Sequence, residues 1–191
     1  MSARSARRPA KDEGFAWVAD SGCRVLVLGS MPGRASLAAS QYYAHPRNVF
    51  WEIMGVLFGA GLELDYPARL ARLRARGVAL WDVAHRCRRP GSLDAAIERD
   101  SVEPNDFAAL FSACPALDRV FFNGATAEAL YRRLVRPQNP EGGRRVSFHR
   151  LPSTSPAHAA LGFEAKLARW REVRAALDDS PGCDPPGPGI G

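Results

Sequence analysis

Four short apolar runs recur along this chain: RVLVL from Arg24, VALW from Val78, RVFF from Arg119 and RVSFH from Arg145. Runs of this length, rich in β-branched and aliphatic side chains, read as strands. The stretches between them carry apolar residues at helical spacing. Val49 to Phe58 is apolar on nearly every face, as suits a helix buried on both sides, and Trp51 belongs to its core. Tyr66 to Arg76 places Leu70 and Leu73 inward under a basic outer face, and Gly77 ends it. Phe107, Leu110, Phe111 and Cys114 mark another helix, Ala127, Leu130, Tyr131 and Leu134 a further one, and Phe163, Leu167, Trp170, Val173 and Leu177 the last. Strands alternating with helices predict an α/β fold with a mainly parallel sheet covered on both faces.

In such sheets ligands bind beyond the carboxyl ends of the strands. Here those ends are Ser30-Met31-Pro32-Gly33, Asp82, Asn123-Gly124 and Ser153-Thr154-Ser155, a polar rim on an apolar scaffold. The first of them opens the stretch GSMPGRASLAASQYYAHPRNVFW, Gly29 to Trp51, which reads as a long loop between strand and helix. A loop of this length inside a compact domain implies a function. Gly29 and Gly33 let the backbone approach a ligand closely, and Pro32 and Pro46 stiffen the path. Asn48 stands where the helix begins, so it either caps that helix or is turned inward to do chemistry.

The 191 residues suit one domain, over 15–179, between a basic N-terminal segment of residues 1–14 and a Pro/Gly-rich tail of 180–191, both expected to be disordered. No apolar run approaches the ~20 residues of a transmembrane helix, and the N-terminal segment lacks the apolar core of a signal peptide. A cytoplasmic monomer with no membrane association is expected. Cys23, Cys87, Cys114 and Cys183 form no CxxC pair, so no zinc site or iron–sulfur cluster is expected and the thiols read as reduced. Net charge is +6, the pI is near 9.6, and every basic side chain except Lys11 and Lys166 is Arg. Either the surface is built for a polyanion or the Arg bias reflects genome composition.

The sequence contains no GxSxG elbow, no GxxxxGK[ST] phosphate loop and no His/Asp cluster at metal spacing. The rim is rich in amides and hydroxyls instead. Such groups orient water, hydrogen-bond the edge of a heterocycle and stabilise an anionic leaving group, which suits N-glycosidic cleavage.

The motifs GSMPG, AHPRNVFW, FFNG and LPSTSPAHA resemble, in order, those of the uracil-DNA glycosylase superfamily, closest to its hypoxanthine-DNA glycosylase branch. The mismatch-specific uracil/thymine branch shares the AHPxNxFW stretch. The resemblance spans about Val25 to Trp170. It implies a single-domain α/β/α sandwich on a four-stranded sheet, no cofactor, and an enzyme that flips a deaminated base out of double-stranded DNA and hydrolyses its glycosidic bond.

Residue by residue, Met31 stands where the mismatch branch has a water-positioning Asn, and that duty passes to Asn48, the catalytic Asn of the hypoxanthine branch. Ser30, Met31 and Pro32 of the first motif, with Asn123, would line the base; Asn123 matches the superfamily's base-reading Asn. Tyr43 either stacks on the flipped base or packs its own loop. Ser153 falls where other branches place a His or Asn, Ser155 where a Ser contacts DNA phosphate, and Thr154 lies between them. Ala157 occupies the position of a Leu wedge; either His158 or Leu161 substitutes for it, or Leu161 is a packing residue and the wedge is missing. Asp82 and the segment Gly91 to Asp94 also look like those of the hypoxanthine branch, without an assigned role. With no Lys on the rim, and Lys166 expected on the outward side of the last helix, no strand-cleaving Schiff base is expected. The rival readings are a uracil- or xanthine-directed glycosylase, a non-catalytic reader of damaged or single-stranded nucleic acid, and a nucleoside hydrolase.

Overall fold

The four apolar runs form one parallel sheet. The structure, a computed structural model, describes residues 10–91 and 93–178. In chain order the strands are β1 (Asp12–Glu13), β2 (Val25–Gly29), β3 (Val78–Asp82), β4 (Ala84–Cys87), β5 (Glu103–Pro104), β6 (Arg119–Asn123) and β7 (Ser147–Leu151). The helices are α1 (Arg34–Ala39), α2 (Phe50–Phe58), α3 (Tyr66–Ala75), α4 (Phe107–Ala113), α5 (Ala125–Leu134) and α6 (Phe163–Asp178). The main sheet runs β3-β2-β6-β7, and every neighbour pair is parallel.

Period-two alternation along β2 decides which helices cover which face. Val25 and Val27 point to one side, where they pack with Phe50 and Trp51 of α2, Leu73 of α3 and Trp170 of α6. Leu26 and Leu28 point to the other, against Phe107 and Leu110 of α4 and Leu130 of α5. Trp51 is 2% exposed, in the core as expected. The chain leaves β2 toward β3 on one flank and later crosses to β6 on the other. The connections leaving β2 and β6 therefore turn away from each other, toward β3 and β7, which is where such sheets open a crevice.

Several expectations are corrected. Residues 10–14 are not disordered: Asp12–Glu13 pairs antiparallel with β4, and the Gly14 N–H donates to His85 O at 2.7 Å. Residues 1–9 and 179–191 lie outside the described residues, and with them most of both expected tails. The stretch from Gly29 to Trp51 is not all loop, because Arg34–Ala39 is helical. The segment after Asp82 contributes β4 and, with β1 and β5, a second three-stranded sheet that short strands without alternation do not announce. The fourth strand begins two residues later than Arg145. Arg144 is held by carbonyls at the end of α4, Phe111 O at 2.9 Å and Pro115 O at 2.7 Å, so pairing starts only at Ser147 opposite Arg119.

Lys166 is not on an outward face. It is 5% exposed, and burial lowers its pKa. Cys23, Cys87 and Cys114 are free and buried; Cys183 lies outside the described residues. No helix among the described residues is long and apolar enough to cross a membrane.

Candidate active site

The end of β2 sets the geometry of the site. The carbonyls of Gly29 and Ser30 accept from the N–H groups of Val83 and Ala84 at 2.9 and 3.0 Å, which zips the start of the first loop to the β3–β4 junction. A Cβ on Gly29 would overlap Asp82 Oδ1 and come within 3.3 Å of Tyr43 Oη. The missing side chain therefore makes room for two of the chain's own polar groups rather than for a ligand. Gly33 has open space around it and starts α1.

The continuation of that loop is gripped by Arg89. Its guanidinium is buried and donates to Pro32 O at 2.6 Å and to Met31 O at 3.4 Å, with Asp12 3.5 Å away. Met31 itself is 5% exposed and packs in the apolar cluster beneath β4, so its side chain is a core residue even though the residue lines the site. Arg86 pairs with Glu13 and Arg88 with Glu98, both at 2.8 Å, so the basic run before Pro90 is committed to the protein's own carboxylates.

Above the strand ends lies a cavity of about 980 Å³, at the upper end of small-molecule sites. Every rim residue named from the sequence lines it: Ser30, Met31, Pro32, Tyr43, Asn48, Asn123, Ser153, Thr154, Ser155, Ala157 and His158. Asn48 enters from the loop before α2. Its Oδ1 accepts from the Phe50 N–H at 3.0 Å, an Asx turn that opens the helix and fixes which way the amide faces. A second lone pair and the amide N–H groups remain.

Asn123 is 8% exposed and locked to Thr154 through both ends of its amide: Oδ1 accepts from Thr154 N and Nδ2 donates to Thr154 Oγ1, each at 2.9 Å. The backbone donor on one side settles which atom is oxygen. The Thr154 carbonyl in turn accepts from Val49 N at 3.3 Å. Thr154 is 1% exposed and its polar atoms are all engaged, so it ties the last motif to the Asn48 loop and is not open to a DNA backbone.

The Tyr43 ring stacks on Phe50 with centroids 3.9 Å apart and adopts φ +56°. One ring face thus packs its own loop. Its buried hydroxyl makes no hydrogen bond of full geometry; burial and then the nearby Asp82 raise its pKa, against a smaller lowering by the Asn123 amide beside it. Ser153 Oγ accepts from Ser155 N at 3.2 Å, and Ser155 Oγ accepts from Ala157 N at 3.3 Å. Ala157, His158 and Leu161 stand exposed on the lip.

Charged groups complete the wall. Asp82, 3% exposed, is pushed up to about 8 by burial and then by the neighbouring Asp94, while Arg89 pulls the other way. Asp94 is likewise raised, chiefly by burial, with the Ser30 hydroxyl and Arg89 opposing. Arg34, Arg47, Arg150 and Arg169 ring the opening. Sequence reasoning missed Arg89 and these four arginines, because nothing in the chain separates a buried Arg from an exposed one. Among the described residues no group of three His, Cys, Asp or Glu is placed to hold a metal ion.

The sequence profile of the Uracil DNA glycosylase superfamily matches residues 15–177. A protein of Methanosarcina acetivorans named hypoxanthine DNA glycosylase is 35% identical over 161 residues, 84% of this chain and 96% of that one. One of the same name from Methanosarcina barkeri is 38% identical over 115 residues, 60% of this chain and 72% of its own. A solution NMR structure from Methanosarcina acetivorans, described as a candidate uracil DNA glycosylase, superposes with a TM-score of 0.72 at 31% identity, covering 88% of this chain and 99% of that one. With the profile spanning nearly all the described residues and the four motifs meeting in one cavity, the chain belongs to the Uracil DNA glycosylase superfamily.

Proposed function

We propose that this protein is a monofunctional DNA glycosylase that acts as a monomer on double-stranded DNA, releasing a deaminated base, hypoxanthine foremost, in base excision repair. The observation that carries the reading is the convergence of Asn48, Asn123 and Ser153, from three separate motifs, on one cavity ringed by arginines. Hypoxanthine is favoured because both relatives named above as hypoxanthine DNA glycosylases share a third or more of their aligned residues with this chain. Neither Lys11 nor Lys166, the chain's two lysines, lines the cavity, which favours a reaction that stops at an abasic site.

The mechanism is dissociative. Positive charge builds on the deoxyribose and negative charge on the departing base. Asn48, oriented by its Asx turn, holds water with its free lone pair and amide hydrogens. Asn123, held rigid by Thr154, offers its second N–H and second lone pair to the base edge. Because donors fixed in advance need no reorganisation, each well-placed one contributes about 2.7–4 kcal/mol to the transition state.

Asn48→Ala should therefore slow single-turnover excision roughly 100- to 1000-fold. Asn48→Ser keeps an oxygen for the Phe50 N–H and separates the roles: if Asn48 only caps the helix, Ser restores the rate, and if it positions water, Ser remains slow. The assay offers duplexes with hypoxanthine, uracil or xanthine opposite each normal base and reveals abasic sites by alkali. Release of uracil alone would move the substrate to a sister branch. Tight binding without release of any base would establish a non-catalytic reader.

A further inference from the structure

Asp82 and Asp94 both line the cavity, and the mechanism above uses neither. Asp82 closes β3 beside the end of β2, in the space that Gly29 leaves empty. Its Oδ2 is shut off from solvent and receives no hydrogen bond from the chain, so no donor there compensates a negative charge. Asn105 Nδ2 donates at 2.9 Å to the Asp82 backbone carbonyl and leaves the carboxyl alone. The ionisable groups that feel it are Asp94 from the 3-10 turn Asp94–Ala96, the phenols of Tyr42 and Tyr43, Tyr66 at the start of α3, and Arg89. Of these only Arg89 favours a carboxylate; its Nη groups donate to Met31, Pro32 and Asp12, and its buried Nε makes no hydrogen bond to Asp82 or to any other group among the described residues.

We propose that Asp82 enters the reaction as a neutral carboxylic acid whose O–H hydrogen-bonds an acceptor atom of the flipped base, meeting the negative charge that arrives there as the glycosidic bond breaks. The inference rests on the glycosylase reading and deepens it. Ser153, whose oxygen accepts from Ser155 N, leaves only a neutral hydroxyl O–H to donate, a weaker donor than a carboxylic acid. An ionised carboxylate at position 82 would repel the leaving base, so the proton is essential. Burial and Asp94 raise this carboxyl to about 8, which keeps it protonated at neutral pH. The balance is simple. The electron pair of the C1′–N bond leaves on the base, and the water oxygen bonds to C1′. The proton shed by water ends on the base, or on Asp82 if the acid has given its own away.

The test is single-turnover excision of hypoxanthine from about pH 6 to about pH 10 by the wild type, Asp82→Asn and Asp82→Leu. The wild-type rate should fall about tenfold per pH unit above the Asp82 pKa. Asp82→Asn keeps a donor that does not titrate. It should stay within roughly tenfold of the wild type at neutral pH and lose that limb, which separates titration of Asp82 from titration of the base. Asp82→Leu should be slower by roughly 100-fold or more throughout.

Melting temperatures read the proton without any activity. The folded carboxyl holds its proton to about 8, whereas an ordinary aspartate loses it near 3.8. The native state binds more protons between those values, so stability falls as pH rises through that window and levels off above it. The melting temperature of Asp82→Asn relative to the wild type should therefore climb across the window. An unchanged difference, an alkaline limb kept by Asp82→Asn, or wild-type rates from Asp82→Leu would each overturn the inference and leave the glycosylase reading standing. No base release by the wild type would overturn both.

Discussion

Thr154 shows how much of this site is decided by single side chains. Asn123 owes its orientation to two bonds with that one residue, and the Thr154 carbonyl carries the tie on to Val49. Thr154→Val preserves shape but removes the acceptor for a buried amide N–H. An orphaned buried donor costs about 1–3 kcal/mol, so denaturant unfolding should register a loss of that size. Excision should slow as well, because Asn123 is no longer held toward the base. Thr154→Ser, which restores the hydroxyl, should recover most of both, and a rate unaffected by Thr154→Val would show that Asn123 needs no such support. Position 123 was legible as a site residue because it ends a strand. Its partner was not, since 31 residues separate the two and any Ser or Thr of the last motif could have served.

At the scale of elements, the site is made where β2 and β3 end side by side. Gly29 and Asp82 are register partners, and the glycine is what lets the carboxyl and the Tyr43 hydroxyl sit over the sheet. Gly29→Ala should leave the fold intact, because the obstructing atom is the end of a side chain that can swing into the cavity. The displaced carboxyl should then cost excision roughly tenfold or more, with only a small drop in melting temperature. A variant that excises normally would mean that the position of Asp82 is immaterial. The strand β7, SFHRL at the edge of the sheet, buries only Leu151 fully and starts two residues later than expected, whereas β2, β3 and β6 were legible because each is a largely buried apolar run with turn residues after it. The small sheet of β1, β4 and β5 was not, because its strands are two to four residues long and present mixed burial patterns, which leave no periodicity to read.

Over the whole molecule, the formal charge of +6 is unevenly committed. Arg86 and Arg88 are neutralised by Glu13 and Glu98, whereas Arg34 and Arg47 stand at the mouth of the cavity with no carboxylate against them among the described residues. Counterion release makes this measurable, since each phosphate neutralised contributes about 0.9 to the slope of log K against log salt. Replacing Arg34 and Arg47 together by Gln should flatten that slope by roughly 1.8 in anisotropy titrations with undamaged duplex, whereas Arg86→Gln should leave it unchanged. Equal effects from the two variants would place the DNA path elsewhere.

By itself the sequence determined the α/β class, the places of the four main strands in the chain and their mainly parallel direction, and the motif residues that meet at their carboxyl ends, while their order in the sheet came from the structure. Hydrophobic periodicity and turn chemistry are local properties, and a parallel sheet brings its strand ends together whatever the loops do. Only the tertiary structure decided the charge and orientation of the groups at those ends. The burial of Arg89 behind the first loop, the lock of Asn123 on Thr154 and the proton on Asp82 all depend on contacts between segments distant in the chain. A carboxyl's pKa is set by the dielectric and the charges around it, and the sequence does not state those surroundings.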